Sequence, residues 1–151
     1  MRKIYSSLNL SQGRQIVLTA LATGRDANLA PLAVAVLDVG GHVVCLERED
    51  GSGIMRADIA IAKAWGALGM GMSSREIRDR LKDRPTFLGA LAPVSQGRFG
   101  PVPGGVLACN DKGEVIGAVG ISGDVSDQDE FCAIKGIKAA GLVPDPEQGV
   151  V

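Results

Sequence analysis

The side chains most able to do chemistry in this chain are few, and the single histidine is the most distinctive of them. His42 is the only histidine among the 151 residues, and it follows Gly40-Gly41 at the start of an apolar run. An imidazole titrates near neutral pH, so His42 could serve as an axial ligand or a general base. A plain surface-turn histidine would look the same. With one histidine, a histidine-based zinc site or a Ser-His-Asp site within one subunit has little to be built from.

A lysine in an apolar helical segment is the second candidate. Lys63 is surrounded by alanine and isoleucine, and burial there would lower its pKa and require a partner such as Asp129 or Glu130. Proton abstraction beside a carbonyl needs one base and one anion site, and Lys63, Asp129 and Arg48 could form that catalytic set. A structural ion pair, with Arg48 as a solvated charge, is the plainer interpretation.

Two glycine-containing turns are candidates for binding an anionic ligand. Gly104-Gly105 follow the loop 97–103, and Ser122-Gly123 precede the last predicted helix. Backbone N–H groups that glycine leaves exposed can bind carboxylates, and so can the free N–H groups at a helix N-terminus. Phe99 in the first loop could pack on a planar ligand. A plain turn and ordinary helix capping explain these residues about as well.

Helices must position these side chains, and their start and stop signals are clear. Ser126 is a suitable N-cap for the last helix, with acidic residues in the first turn, and Gly141 suits its C′ position. A Ser73/Glu76 capping box predicts a short helix up to Leu81. The other predicted helices cover 11–28 and 54–70, and the loop-rich segment 85–100 contains at most a helical turn at 87–91.

Strands complete the predicted framework as two hairpins. Apolar runs at 32–37 and 42–47 flank a Gly-Gly turn, and runs at 106–110 and 114–122 flank a turn that ends at Gly113. Gly117 and Gly120 inside the last strand indicate close approach of another backbone or a ligand. Hairpins alternating with helices predict an α+β fold in a single domain, 1–151, with residues 144–151 as a tail that is flexible or docks on a neighbour.

Composition limits the classes of function. A net charge of −1, a pI near 5.8 and an aromatic content of 3% argue against nucleic-acid binding by a basic surface or by base stacking. No run of 18 apolar residues predicts a membrane span, and no apolar stretch follows the basic N-terminus as in a secretory signal. Three widely spaced cysteines are typical of buried thiols in a reducing compartment, so we expect a cytoplasmic protein.

Several phrases of the sequence resemble the GlcG/HbpS family, which includes the C-terminal domain of PduO-type proteins. They lie in order over nearly the whole chain, which makes the combination specific although each phrase alone is weak. These phrases are Asp38-Val39-Gly40-Gly41-His42, Arg48-Glu49-Asp50-Gly51, Lys63-Ala64, Gly104-Gly105, Val115 to Gly123 and Gln128-Asp129-Glu130.

The resemblance implies a profilin-like domain, with a five-stranded antiparallel sheet flanked by helices. It also implies a homo-oligomer, from a dimer up to an octamer, and a small-molecule ligand. That ligand would be haem or another tetrapyrrole. The residues that we expect to bind it are the candidates identified above, which are His42, Phe99, Gly104, Gly105, Ser122 and Gly123. Relatives often carry a threonine after the Lys-Ala pair, whereas this chain has Trp65-Gly66, and Trp65 could fill the pocket instead.

Two alternatives to a haem-binding protein remain open from the sequence. The first is an enzyme of a catabolic operon that isomerises, hydrates or cleaves a small carboxylate in a pocket at a subunit interface. The second is a non-catalytic oligomeric accessory protein, in which alanine- and glycine-rich faces serve assembly.

Overall fold

The chain folds around one five-stranded antiparallel sheet, as seen in a computed structural model that describes residues 1–150. The strand order is β2-β1-β4-β3-β5. The strands are β1 (Ala33–Asp38), β2 (Val43–Arg48), β3 (Gly105–Cys109), β4 (Val115–Ser122) and β5 (Val143–Asp145). The helices are α1 (Leu10–Asp26), α2 (Arg56–Met70), α3 (Ser74–Leu81), α4 (Pro85–Val94) and α5 (Ser126–Ala139). This architecture confirms the predicted α+β fold.

One face of the sheet carries the larger apolar side chains and packs against α1 and α5. Because side chains alternate along a strand, β1 sends Val34 and Val36 to this face, and β4 sends Val119 and Ile121. Helix residues such as Ile16 and Ile137 complete a core that contains no aromatic ring among its fully buried members. The low aromatic content of the sequence therefore reflects a core made of aliphatic residues.

The opposite face of the sheet is lined by small residues, and α2 lies directly on it. An ideal Cβ built on Gly120 would lie 1.8 Å from the Ala60 carbonyl oxygen, and one on Gly105 would lie 2.3 Å from the Lys63 carbonyl oxygen. Such distances are far below van der Waals contact, so only glycine lets the helix backbone approach so closely. The glycines inside the strands thus determine how closely α2 packs against the sheet, and this distance determines the position of Lys63.

The structure differs from the sequence prediction at three places. The N-cap of α5 is Val125, and Ser126 is the first helical residue, with no side-chain hydrogen bond at the cap. The expected turn at 87–91 is the ten-residue helix α4. Residues Val143–Asp145 form β5 and pair with β3, so the start of the predicted tail, Pro144 and Asp145, docks on its own sheet.

Thiol reactivity provides a first test of this packing. Burial raises the pKa of all three thiols, and raises that of Cys132 to about 12, because its side chain is fully enclosed. We expect a thiol reagent at pH 8 to modify half-buried Cys45 first and Cys132 last. Mass spectrometry of partially labelled native protein measures the order, and early labelling of Cys132 would contradict the packing described here.

Among residues 1–150, none of the helices is both long and apolar enough to cross a lipid bilayer.

Candidate functional site

His42 stands at a tight turn between β1 and β2, and Asp38 organises that turn. The Asp38 Oδ1 atom accepts hydrogen bonds from the backbone N–H groups of Gly40, at 2.9 Å, and His42, at 3.0 Å. The same oxygen lies 3.2 Å from His42 Nδ1. The His42 side chain is 81% exposed. The turn therefore exposes the imidazole of His42 to solvent, and the Asp38 carboxylate contacts the ring at its Nδ1 atom.

The Asp38 contact determines which nitrogen of His42 is available. A carboxylate only accepts hydrogen bonds, so the contact at Nδ1 requires the proton of the neutral ring to reside on Nδ1. Nε2 then carries a lone pair and makes no hydrogen bond within residues 1–150. A carboxylate on the far nitrogen is the usual arrangement that orients histidine ligands of metals and raises their basicity. The structure therefore leaves Nε2 as the exposed ring nitrogen of His42, and its role as a ligand stays a prediction.

Trp65 connects the His42 turn to an apolar cleft. An ideal Cβ on Gly41 would lie 2.9 Å from the Trp65 indole Nε1 atom, so the turn rests on the edge of the indole ring. The same ring lines a cleft of about 130 Å³ between α2 and α4. The cleft is lined by Trp65, Gly66, Gly69, Met70, Leu91, Val94, Ser95 and Phe99.

Arg98 is a charged residue beside this apolar cleft, and it contacts the indole of Trp65. Its guanidinium carbon lies 4.3 Å from the centroid of the Trp65 ring, and its Nε atom donates to the Ser95 carbonyl at 3.2 Å. Arg98 is exposed and makes no salt bridge within the described chain. We call the surface formed by His42, Trp65, Met70, Arg98 and Phe99 the His42 face.

Lys63 and Asp129 form a buried ion pair away from this surface. Lys63 Nζ lies 2.9 Å from Asp129 Oδ2 and donates to the Ile121 carbonyl at 2.8 Å, and the two side chains are 3% and 1% exposed. Asp129 Oδ1 also accepts from the Asp124 N–H at 3.1 Å. An ideal Cβ on Gly104 would lie 2.9 Å from Lys63 Nζ, so the Gly104 backbone covers the ammonium group. The pair joins α2 to α5 across the end of β4.

Burial dominates the ionisation of this pair. Desolvation lowers the pKa of Lys63 and raises the pKa of Asp129, while their mutual attraction opposes both shifts. Other charged groups are close, since Arg56 donates to the Ser122 hydroxyl at 3.1 Å on the same side. Breaking one half of such a pair is costly, because the remaining charge stays buried. The geometry describes a structural link between two helices, and a catalytic role for these residues stays a prediction.

The other residues predicted to bind a ligand are placed mostly in packing positions. Gly105 N–H donates to the Ser74 hydroxyl at 2.8 Å, so this amide already has a partner. Ser122 is 1% exposed, and an ideal Cβ on Gly123 would lie 2.5 Å from the Pro31 carbonyl oxygen. Gly104, Gly105, Ser122 and Gly123 therefore allow close packing near Lys63, and their binding role stays a prediction.

Arg48 lies apart from the Lys63–Asp129 pair. It lines a charged cleft of about 480 Å³ between the end of α1 and the end of β2, and its guanidinium donates to the Ser52 carbonyl. Nearby Arg25 pairs with Glu49 at 2.9 Å. The structure therefore brings together two of the three residues predicted as a catalytic set. It places Phe99 in the cleft lined by Trp65, and the indole of Trp65 also approaches Gly41, the residue before His42.

Sequence reasoning missed the partners that make the His42 face. Asp38 was noted only as part of a family phrase, although a carboxylate four residues before a histidine across a Gly-Gly turn was a usable signal. Arg98 was not singled out, because its contact with Trp65 depends on where the chain after α4 returns over α2, and Met70 was not recognised as a cleft residue.

Comparisons with known proteins agree with this architecture. Over 128 residues the chain is 29% identical to an uncharacterised 15.0 kDa protein in the dhaT-dhaS intergenic region of Citrobacter freundii, covering 85% of this chain and 88% of that protein. The structure of the PduOC:heme complex superimposes with a TM-score of 0.79 at 26% identity, over 89% of this chain and 96% of the other. Klebsiella pneumoniae protein ORFY gives a TM-score of 0.80 at 25% identity, over 93% and 97% of the two chains.

The shared topology defines a class of small α+β proteins built on a five-stranded antiparallel sheet with helices on both faces. Within that class, the family described as haem degrading protein HbpS-like matches residues 8–138. The chain therefore belongs to the HbpS-like family, as the sequence resemblance predicted.

Proposed function

We propose that this protein binds haem, or a related tetrapyrrole, on the His42 face with His42 Nε2 as the axial ligand. The observation that carries the proposal is the Asp38–His42 contact, which leaves the Nε2 atom of an exposed imidazole pointing away from Asp38, on a turn whose Gly41 lies against Trp65 of the apolar cleft. A haem iron brings four ring nitrogens with it, so one oriented imidazole is enough to anchor it.

The surroundings of His42 suit the remaining parts of a porphyrin. The indole of Trp65 and the ring of Phe99 offer flat apolar surface for the macrocycle, and Met70 and Leu91 extend it. Arg98 has guanidinium donors free to pair with a propionate, since its Nε atom alone is engaged with the backbone. A ligand with a flat apolar body and two carboxylates therefore matches the face.

Membership of the HbpS-like family and the likeness to the PduOC:heme complex support the same ligand class. When bound, haem would supply iron-centred redox and oxygen chemistry, which belongs to the cofactor. The residues of this chain would orient the ligand through His42, cover part of one face with Trp65, and hold a propionate with Arg98.

Titration of the purified protein with hemin tests the proposal. We expect a saturable, stoichiometric shift of the Soret band for wild type, and its loss in His42→Ala, because no other histidine exists in the chain. Tyr5→Phe is the matched control: it removes another group able to ligate iron, and Tyr5 is fully solvent-accessible at 86% exposure. An unsaturable response in wild type, or full binding by His42→Ala, would contradict the assignment.

The two alternative functions have no comparable observation behind them. A catabolic activity would use Lys63, Asp129 and Arg48, yet Lys63 Nζ is enclosed by Gly104 and Asp129, and Arg48 lines a separate cleft. A purely structural accessory role would not require the ordered Asp38–His42 contact. Both alternatives, and the expected homo-oligomer, stay predictions.

A further inference from the structure

Among the described residues, helix α4 is the only helix that has no buried residue. Each of the other four helices has several, such as Ile16 in α1 and Ile77 in α3. A helix of ten residues is marginal on its own in water and normally depends on packing. Segments with few buried contacts are the ones that open locally at the lowest free-energy cost.

The hydrogen bonds of residues 82–98 also stay close to that stretch of chain. The Arg84 N–H donates to the Leu81 carbonyl at 2.9 Å, and the bonds after α4 return to the end of the helix. Within residues 1–150, no salt bridge includes a residue of 82–98. The anchors lie outside the stretch, since Leu81 is buried and the Gly100 N–H donates to the Ala62 carbonyl at 3.1 Å. We call residues 82–98 the α4 lid.

A turn at the end of α4 is suited to act as a hinge. Gln96 and Gly97 both have positive φ, 55° and 80° respectively. The left-handed region is unfavourable for a residue with a side chain, so local sterics do not oppose a change of φ at Gln96. The hinges of lids are a few residues of this kind, at the ends of elements, that absorb the change in backbone angles.

Arg98 fastens the α4 lid to α2. Its guanidinium carbon lies 4.3 Å from the centroid of the Trp65 ring, and its Nε atom donates to the carbonyl of Ser95, the C-cap of α4. One side chain therefore joins the end of the helix to the indole. A cation–π contact at an exposed site is weak, so this connection can release and form again.

The closed lid leaves too little room for the proposed ligand. The cleft between α2 and α4 has a volume of about 130 Å³, whereas small-molecule sites usually enclose roughly 300–1,000 Å³. Leu91 and Val94 of α4 form one wall of this cleft, and the Arg98 guanidinium lies on the indole of Trp65. A flat ligand can therefore lie between Trp65 and α4 only when α4 moves away from α2.

We propose that α4 is a hinged lid that swings away from α2 to admit the macrocycle to Trp65, with Arg98 as its latch. In the closed state the guanidinium stacks on the indole, and in the bound state it turns to a propionate. The gating of the ligand rests on the proposed function, whereas the hinged motion does not. The ligand-free protein is then an equilibrium between two positions of α4, and the ligand selects the open one.

Fluorescence of the ligand-free protein tests the motion. Val94 and Trp65, the only tryptophan of the chain, line the same cleft, and an indole quenches a bimane label that touches it. We attach bimane to Val94→Cys in a Cys45→Ser background, because the other two thiols are buried. We expect a short lifetime from the closed lid and a long one from the open lid, with loss of the short one in Trp65→Phe. A single lifetime would overturn the motion.

Removal of the latch should shift this equilibrium. We expect Arg98→Ala to raise the ratio of open to closed protein about two- to fivefold, which is the effect that loss of an exposed cation–π contact implies. Arg84→Ala is the matched control, because the Arg84 guanidinium makes its cation–π contact with Phe87 of its own helix, at 4.7 Å from the ring centroid. An unchanged ratio for Arg98→Ala, or an equal shift for Arg84→Ala, would overturn the role of Arg98.

A covalent bridge across the cleft tests the gating. Gly69 on α2 and Val94 on α4 line opposite walls, so we join Gly69→Cys to Val94→Cys with a short bis-maleimide in the Cys45→Ser background. A Cβ at Gly69 would lie 3.7 Å from the nearest Trp65 atom, an ordinary contact, so the variant should fold, as circular dichroism will show. The matched control is the same variant with both thiols capped by a monofunctional maleimide.

Stopped-flow mixing with hemin then separates the lid from the proposed function. We expect the bridged protein to take up hemin at least about tenfold more slowly than the capped protein, because the open state is no longer populated. Equal rates for the two forms would overturn the gating. Two lifetimes that respond to Arg98→Ala, in a protein that binds no hemin at all, would leave the lid standing and remove the proposed function.

Discussion

Replacing Gly120 by alanine is expected to lower the free energy of unfolding by more than about 3 kcal/mol, the upper end of the usual cost of overpacking. The new Cβ would lie 1.8 Å from the Ala60 carbonyl oxygen and 2.9 Å from the Ala64 amide nitrogen. Both atoms belong to the backbone of α2, which cannot yield as a flexible side chain can. The whole helix must move away from β4, and its apolar contacts with the sheet are lost.

Thermal unfolding followed by circular dichroism measures this effect. For a protein of this size each kcal/mol shifts the Tm by roughly 2–4 °C, so the variant should melt at least about 6 °C lower. Gly53→Ala is the matched control, because a Cβ there meets nothing within 4 Å and its backbone is not left-handed. If the two variants unfolded together, the close approach of α2 to β4 would be wrong.

The second large effect is expected from Lys63→Met, which should cost about 3–5 kcal/mol. The substitution keeps most of the length of the side chain but leaves Asp129 buried without its cation, with the Asp124 N–H at 3.1 Å as its remaining donor. Urea unfolding at pH 7 measures the loss. Lys112→Met, at an exposed turn position, is the control and should change stability by less than about 0.5 kcal/mol.

The loss should also depend on pH in a defined direction. Burial already raises the pKa of Asp129, and removal of Lys63 removes a group that lowers it. The folded variant then holds a proton that the unfolded chain releases above its ordinary carboxyl pKa. Its stability therefore falls as pH rises from that value through the folded pKa, and the variant is relatively more stable in acid.

A double variant separates the charge effect from simple loss of packing. Lys63→Met combined with Asp129→Asn leaves no buried charge at this position, so we expect it to recover a large part of the stability. Equal denaturant midpoints for Lys63→Met and wild type would contradict the buried pair.

Local signals in the sequence were sufficient to predict most of the fold. Gly41 and Gly113 mark the two hairpin turns, and both adopt positive φ, which glycine tolerates best. The glycines of β4 predicted close approach of another backbone or a ligand, and the structure places the backbone of α2 there. These signals act over a few residues, so a single sequence carries them.

The elements that were missed depend on contacts distant in sequence. β5 contains only Val143–Asp145, and it is a strand because the edge of β3 is free to pair with it. Helix α4 contains two prolines, a glycine and no charge, which is typical of a loop, although Pro85 at its start is well suited to a first helical turn.

The candidate site was predictable only in part for the same reason. His42 could be selected because it is the single histidine of the chain, and Lys63 because it lies in an apolar helical segment. A buried lysine requires a carboxylate partner, and this requirement pointed to Asp129 or Glu130. The structure pairs Lys63 with Asp129 and pairs Glu130 with Arg75 at 2.8 Å. The contact of Trp65 with Gly41 and Arg98 depends on α2, α4 and the β1–β2 turn meeting in space, which no local pattern records.

The central claim is that the Nε2 atom of His42 ligates haem iron, and rescue of His42→Gly by free imidazole tests it most directly. The glycine variant removes the side chain and leaves the Gly-Gly turn and Asp38 in place. We predict that it loses the wild-type hemin spectrum and that added imidazole restores it saturably, while wild type is unaffected by the same concentration. A His42→Gly protein that binds hemin with the wild-type spectrum and affinity, with no response to imidazole, would contradict the claim.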